Sequence, residues 1–600
     1  MALTTGFTLQ DWQRHYQLHP ESVLSTLESL LSGLSTADNA WLYLATPAQL
    51  RAQIEPLLAI WQQNPTSLPL FGVPFAVKDN IDVAGWPTSA ACPAFTRQAE
   101  ADATAVARLK AAGAIVIGKT NLDQFATGLV GTRSPFGAVC NTFNPAYVSG
   151  GSSSGSASVT ARGLVGFALG TDTAGSGRVP AGFNNIVGLK PTKGWLSATG
   201  MLPACRLNDT LSVFALTVED AFLVASCAGG YDSQDAYSRI DPGLAPAAFS
   251  ATPRLAVPAV PEFYGDDQAA AAWEAALAAL TAGGATLHSI DFTPFHQLAE
   301  QLYYGPWVAE RTVAVGEMLN RPDEMDPVVY GIVNSGHHYS AVEAFKAEYL
   351  RADLTRLIQQ TLSQFDALVV PTSPTIHTLD EIKQEPVRFN SQFGIYTNFT
   401  NLADLSALAL PGPFRADGLP AGITVIAPAW YDRALADFGC RWQQQQALSL
   451  GATGLPLPAV TSPLPASSLH VRLAVVGAHL TGMPLNHQLT RRNAVWVEET
   501  TTANCYRLFA LANTTPAKPG LVKDSAGAAI TVELWDIPLA RFGEFVAEIP
   551  APLGIGTLEL ADGRTVKGFI CEPAALAEAT EITAMGGWRN WLARQETSHV

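Results

Sequence analysis

The apolar positions change period along the chain. Over residues 1 to about 65 they recur at helical spacing, as around Leu27, Leu30, Leu31 and Leu34, which predicts a helical N-terminal region. From about residue 70 short apolar runs take over: FGVPFAVKD, GAIVIGKT, GLVGFALGTD, DALVVPTSP and LPAGITVIAP. Runs of this length, closed off by glycine-rich turns, read as buried strands. Longer stretches such as DATAVARLKAAG and DQAAAAWEAALAALTAGG lie between them and read as helices. The alternation predicts an α/β domain over residues 1–454 with a largely buried sheet. Residues 455–468, LPLPAVTSPLPASS, interrupt it with proline and serine and read as a linker. Strand-like text then resumes in VRLAVVGAHL, AAITVELWDIPL and GIGTLELADGRTVKGFICE, with only short helical pieces, so residues 469–600 form a small, separate α+β domain.

Composition narrows the class. A chain of 600 residues is too long for one core, and 48% hydrophobic against 15% charged residues is globular. A net charge of −16 argues against a general nucleic-acid or anionic-membrane surface, although a local basic pocket remains compatible with it. The seven cysteines include no C-x-x-C pair, so they read as thiols in a reducing compartment with no zinc site. No signal peptide or spanning helix is visible, and a cytoplasmic location is expected.

The densest candidate chemistry lies in SGGSSSGSAS, residues 149–158. On composition it could be a linker, but apolar text, VTARGLVGFALG, follows at once. Gly151 to Gly155 also fits G-x-S-x-G with Ser153 as nucleophile, yet that motif needs a preceding strand, and NTFNPAYVSG is turn-rich. Gly113 to Thr120 fits the G-x4-G-K-T phosphate loop, but its AIVI core is a buried strand, which leaves Lys119 a surface or structural lysine. A third reading uses FALGTDTAGSGRVPAG, where a strand ends in a glycine-rich turn around Ser176. N–H groups of Thr173, Ala174, Gly175 and Ser176 could converge there on one oxyanion. Lys78 closes the apolar strand FGVPFAVKD. It is either a desolvated base or an ion-pair partner of Asp79 or Asp82.

Three segments in order, FGVPFAVKDNID, GKTNLDQFATG and GGSSSGSASVTARGLVGFALGTDTAGSGRVPAGFNNIVGLKPT, resemble the amidase signature family over roughly residues 20–450. The resemblance implies a mixed central sheet surrounded by helices and a Ser–cis-Ser–Lys triad. Ser176 is then the nucleophile, Ser152, 24 residues earlier, the bridging serine beside a cis peptide, and Lys78 the base. Ser153, Ser154 and Arg178 would brace the triad, and Arg178 could equally be a plain structural salt bridge. In QLYYGPWVAERTVAV the resemblance places Tyr303 and Arg311 against the substrate. The alternative for Arg311 is a surface pair with Glu310 or Glu300. Gly128 and the Ala126 carbonyl would line the same pocket.

VVGAHLTGMPLNHQLTRRNA, YRLFALANTTPAKPGL and IPAPLGIGTLELADGRTVKGFICE are similar to the second domain of allophanate hydrolases, whose fold resembles the γ-glutamylcyclotransferases. The pairing of domains implies hydrolysis of allophanate, a small-molecule substrate, followed by decarboxylation of N-carboxycarbamate, for which His487 is the candidate. It implies no metal or organic cofactor, a homodimer, and coupling to a urea carboxylase or to cyanuric acid and biuret breakdown. No biotin-attachment or ATP-grasp segment is visible, so urea carboxylation is expected on another protein. Amidases for biuret or malonamate, and an ammonia-delivering transamidosome-type subunit, are the competing readings.

Overall fold

The computed structural model describes residues 5–459, 464 and 467–597, so the expected linker lies partly outside the described residues. The fold has two units, Met1–Ile240 with Ala251–Thr461, and Asp241–Ser250 with Ser462–Val600.

The first unit is α/β, built on an 11-stranded mixed sheet. Across it the strands run Trp41–Leu44, Ile115–Thr120, Pro74–Lys78, Phe167–Asp172, Thr210–Ala215, Val187–Lys190, Leu405–Leu410, Ile423–Pro428, Ala367–Pro371, Arg254–Pro258 and Thr286–Ile290. The apolar runs read as strands are strands, and most are buried end to end. The N-terminal region is not wholly helical. Between Val23–Ser32 and Pro47–Gln63 the chain places Trp41–Leu44 antiparallel to Ile115–Thr120. Four residues are too few to show a period. Here a tertiary contact decides: a Cβ at Gly118 would lie 2.6 Å from the Trp41 ring, so the glycine admits the indole.

GAIVIGKT is the buried strand its composition predicts, not a phosphate loop. Lys119 is not a surface residue. It has no exposure and pairs at 2.9 Å with Asp79, because both point inward from the ends of neighbouring parallel strands. SGGSSSGSAS is a turn leading into the fully buried helix Ser154–Ala161.

The second unit carries a five-stranded sheet, ordered Val495–Thr501, Thr531–Pro538, His470–Val475, Thr565–Cys571 and Leu553–Glu559, and a three-stranded sheet. Helix Leu539–Ala547 packs on the larger sheet. Residues 241–250, distant in sequence, group with this unit. The Ala245 carbonyl lies 3.0 Å from His470 Nε2, and the Leu244 carbonyl accepts from Asn493 at 2.9 Å. Among the described residues no helix is long and apolar enough to cross a membrane.

Candidate active site

Pro74–Lys78 and Phe167–Asp172 are parallel neighbours, with Val77 opposite Leu169. Their carboxyl ends therefore open on the same edge of the sheet, where the loops of α/β folds carry chemistry. Lys78, wholly buried, ends the first strand. Its Nζ lies 2.8 Å from Ser152 Oγ, 2.9 Å from Ser153 Oγ and 2.7 Å from Thr171 Oγ1. The ion-pair alternatives fall away, since Asp79 pairs with Lys119 and Asp82 with Arg97, each at 2.9 Å. Burial pushes Lys78 down to about 7, against the opposing pull of Asp123, Asp209 and Asp172. A lysine so placed is partly neutral at neutral pH and can accept a proton.

The Gly151–Ser152 peptide is cis. Ser152 Oγ lies 3.0 Å from Ser176 Oγ, so Lys78, Ser152 and Ser176 form one continuous hydrogen-bonded chain. A hydroxyl both donates and accepts, so protons can move along such a chain in either direction. The loop bearing Ser176 is clasped from behind by Asp172. Its carboxylate accepts from the N–H of Gly175 at 3.1 Å and of Gly177 at 3.0 Å, and meets Arg178 through two contacts of 2.9 Å. Arg178 also donates to Thr400 Oγ1 at 3.0 Å and to the Thr397 carbonyl at 3.1 Å. Burial alone would raise Asp172; the Arg178 guanidinium outweighs it and holds the carboxyl below its ordinary range.

A second cation sits nearby. Arg311 is fully buried, over the ring of Tyr303 at 5.0 Å, and it donates to Tyr303 Oη at 3.3 Å, Thr127 Oγ1 at 3.1 Å and the Ala126 carbonyl at 3.3 Å. Its Nε has no partner, and among the described residues no carboxylate pairs with it. The surface-pair alternative fails, because Glu310 instead accepts from the Leu207 N–H at 3.1 Å and burial lifts its carboxyl to about 7. Arg311 acts electrostatically on Lys78 and on Asp209, which places it at the same site.

A family model described as Amidase matches residues 26–436. The chain belongs to the amidase family. A second model, the allophanate hydrolase C-terminal domain, matches residues 471–593. The chain is 44% identical over 614 residues to the urea amidolyase of Saccharomyces cerevisiae, covering 98% of this chain but 33% of that one. It thus spans about a third of the length of the urea amidolyases it matches. It is 35% identical over 422 residues to one subunit of the glutamyl-tRNA(Gln) amidotransferase of Symbiobacterium thermophilum, covering 63% of this chain and 83% of that protein. Among solved structures, the allophanate hydrolase of Kluyveromyces lactis superposes with a TM-score of 0.87 at 42% identity, covering 98% of this chain and 100% of that one.

The fold brings Lys78, Ser152, Ser153 and Ser176 together, and Tyr303, Arg311 and Ala126 in a second group. Two expectations need correction. The Gly175 N–H is not aimed at an oxyanion, because Asp172 takes it; those of Thr173, Ala174 and Ser176 donate to no protein acceptor among the described residues. The Ser154 hydroxyl does not brace the triad. It is buried without a hydrogen-bond partner, on a helical turn that packs it against Gly131. Of the two readings of Arg178 the salt bridge holds: it touches neither serine, and fixes the Ser176 loop through Asp172. At Gly128 a Cβ would lie 2.6 Å from Asp123 Oδ2, so the glycine makes room for that carboxylate.

Thr171, Asp172 and Asp123 were passed over in the sequence. GTDTAG offered a signal for Asp172, a carboxylate at a strand end before a glycine turn. In the second unit His487 is exposed, with Nδ1 against the Pro484 carbonyl at 2.9 Å. A short helix at the surface turns it outward. His479 instead lines a cavity of about 170 Å³ with Gln488, Lys518 and Phe569, its Nε2 2.8 Å from Gln488 Oε1.

Proposed function

We propose that the chain hydrolyses allophanate, urea-1-carboxylate, at its terminal amide. The observation that carries this reading is Arg311, a buried guanidinium with no carboxylate partner among the described residues, beside the Lys78–Ser152–Ser176 chain. Such a cation cannot shed its charge and calls for an anion, and a guanidinium grips a carboxylate through two parallel hydrogen bonds. Allophanate is a small amide that carries one. Tyr303 would bond its urea portion.

Neutral Lys78 takes a proton from Ser152, which takes one from Ser176, and Ser176 Oγ attacks the terminal carbamoyl carbon. The N–H groups of Thr173, Ala174 and Ser176 meet the developing oxyanion. The proton returns along the relay to the departing nitrogen, which leaves as ammonia. Water, activated by the same relay, cleaves the acyl-enzyme and yields N-carboxycarbamate. That product loses carbon dioxide to give carbamate, which breaks down to a second ammonia and a second carbon dioxide. We assign the decarboxylation to the second unit, at the cavity bearing His479.

The Saccharomyces cerevisiae urea amidolyase and the Kluyveromyces lactis allophanate hydrolase, matched along nearly the whole chain, support the substrate. The same reading has allophanate supplied by urea carboxylation or biuret breakdown. It places a homodimer in the cytoplasm, where seven free cysteines would stay reduced. Ammonia release from allophanate decides the matter. Wild type releases it without a partner protein and prefers allophanate to biuret and malonamate in kcat/KM, and Ser176→Ala loses release while keeping its melting temperature. Full activity in that variant refutes the mechanism. Ammonia release only with an added partner favours the transamidosome-type reading.

A further inference from the structure

Asp123 lies between the two ends of the site and makes contacts that no ordinary surface carboxylate needs. It is wholly buried, and among the described residues it has no ion-pair partner. Its side chain is held by backbone alone: Oδ2 accepts from Val130 at 3.2 Å and Gly131 at 3.0 Å, and Oδ1 from Arg133 at 3.0 Å. Its own N–H donates to the Ser152 carbonyl at 3.1 Å, and its carbonyl accepts from Ala126 at 2.8 Å. The first contact fixes the relay serine. The second fixes the turn whose carbonyl holds Arg311 at 3.3 Å. Two glycines make room for it. A Cβ on Gly151 would lie 2.2 Å from Asp123 Oδ2, and one on Gly128 2.6 Å away. The backbone of Asp123 thus ties the Ser152 segment to the turn at Arg311, and its carboxylate packs between the two, against Gly151 of the cis peptide and Gly128.

We propose that Asp123 is a positioning residue that locks the relay serine to the anion-binding turn and whose charge sets the working pH of the relay. The inference rests on reading Lys78 as the base. The groups facing Lys78 are Asp123, Asp209, Asp172 and Arg311, and Asp172 is neutralised by Arg178. Asp209 accepts from the N–H groups of Ala204 and Cys205 and from the Thr173 hydroxyl, and acts on Lys78 after Asp123. Asp123 is the foremost of the groups that favour the lysine's charged form; burial pushes its own carboxyl up, and Arg133, whose side chain is held by the carbonyls of Thr127 and Pro386, pulls it back towards the ionised form. Without the carboxylate, the ammonium loses support and gives up its proton more readily.

The test is the pH dependence of Ser176 labelling by a fluorophosphonate, a readout that needs no knowledge of the substrate, on the full chain. Asp123→Asn should label more slowly at its optimum and move the acid limb to lower pH by roughly half a unit or more. Asp123→Glu keeps the charge but forces an extra methylene against Gly128 and Gly151, so it should lower the amplitude and leave the limb in place. A purely structural role would lower both amplitudes and move neither limb; that result, or an upward shift in Asp123→Asn, overturns the proposal. If Asp123→Asn does not fold, wild-type amplitude in Asp123→Glu overturns it by itself. Wild type that labels with this pH profile but does not turn over allophanate refutes the substrate reading and leaves Asp123 to be judged on labelling.

Discussion

Lys78 and Arg311 are both wholly buried cations without a carboxylate partner among the described residues, yet they end in opposite states. Lys78 is surrounded by three hydroxyls and falls to about 7. For Arg311 burial works in the same direction, but Tyr303, Cys205, Asp209 and Glu310 outweigh it, and the guanidinium stays charged. The chemistry of the two side chains explains the division of labour. An ammonium is a compact ion whose charge is expensive to desolvate, so it sheds a proton and becomes a base. A guanidinium is delocalised and does not deprotonate in proteins, so it waits for an anion. Arg178 is the third case, a buried cation whose carboxylate, Asp172, is built in.

Removing Lys78 tests the contrast most severely. Lys78→Met should lower hydrolysis by more than about a thousandfold, because the relay loses its base. It should also raise stability in a pH-dependent way. The folded-state value lies near 7 and the ordinary value is 10.5, so between those limits the unfolded chain binds more protons than the folded one. The cost of burying Lys78 is full below pH 7 and recedes as pH rises toward 10.5. Melting curves should therefore show the variant's gain largest at about pH 7 or below and nearly gone by about pH 10; a constant difference would break the account. In wild type, kcat/KM should rise with pH through about 7.

Asp172→Asn leaves Arg178 buried without its counter-charge. The expected loss is about 3–5 kcal/mol by chemical denaturation. Activity should fall with it, because the same carboxylate holds Gly175 and Gly177 on either side of Ser176. Arg311→Ala, by contrast, removes a charge that no carboxylate pairs with among the described residues. It should cost roughly a hundredfold or more in kcat/KM for allophanate, and little for neutral biuret, since the lost interaction is with the substrate's carboxylate. An equal loss for both substrates would show that Arg311 holds the fold and not the anion. Ser154→Ala should be the smallest effect, within about 0.5 kcal/mol in stability and near wild type in activity, because its buried hydroxyl has no bond to lose. A large effect in Ser154→Ala would put that serine back in the relay's support.

Much of the first unit was legible. Runs such as GAIVIGKT and GLVGFALGTD are strands because they are apolar, short and closed by glycine, and all three conditions are local. Trp41–Leu44 was missed because its reason to be a strand is a partner about 75 residues away, at Ile115–Thr120. The site divides likewise. Lys78, Ser152 and Ser176 lay in recognisable text, and the structure spaces them at 2.8 and 3.0 Å along one chain of hydrogen bonds. Ser154 looked the same as Ser153 on paper. They are consecutive residues at the start of one helix and face different neighbours: Ser153 meets Lys78 and the backbone of Thr171, and Ser154 meets Gly131. His487 and His479 were told apart only by which of them faces a cavity.

The sequence by itself determined which side chains of the chemistry exist, in what order, and on which buried strands they end, since those properties follow from residue type and local pattern. Only the tertiary structure decided which charges are compensated. Asp79 faces Lys119 and not Lys78, Asp172 takes the Gly175 N–H that an oxyanion would have used, Arg311 is bonded to hydroxyls and a carbonyl with no carboxylate paired to it among the described residues, and the Asp123 carboxylate has only backbone donors there. Whether a buried ion is neutralised, shared or left open depends on the few ångströms around it, and segments far apart in the chain fill that space.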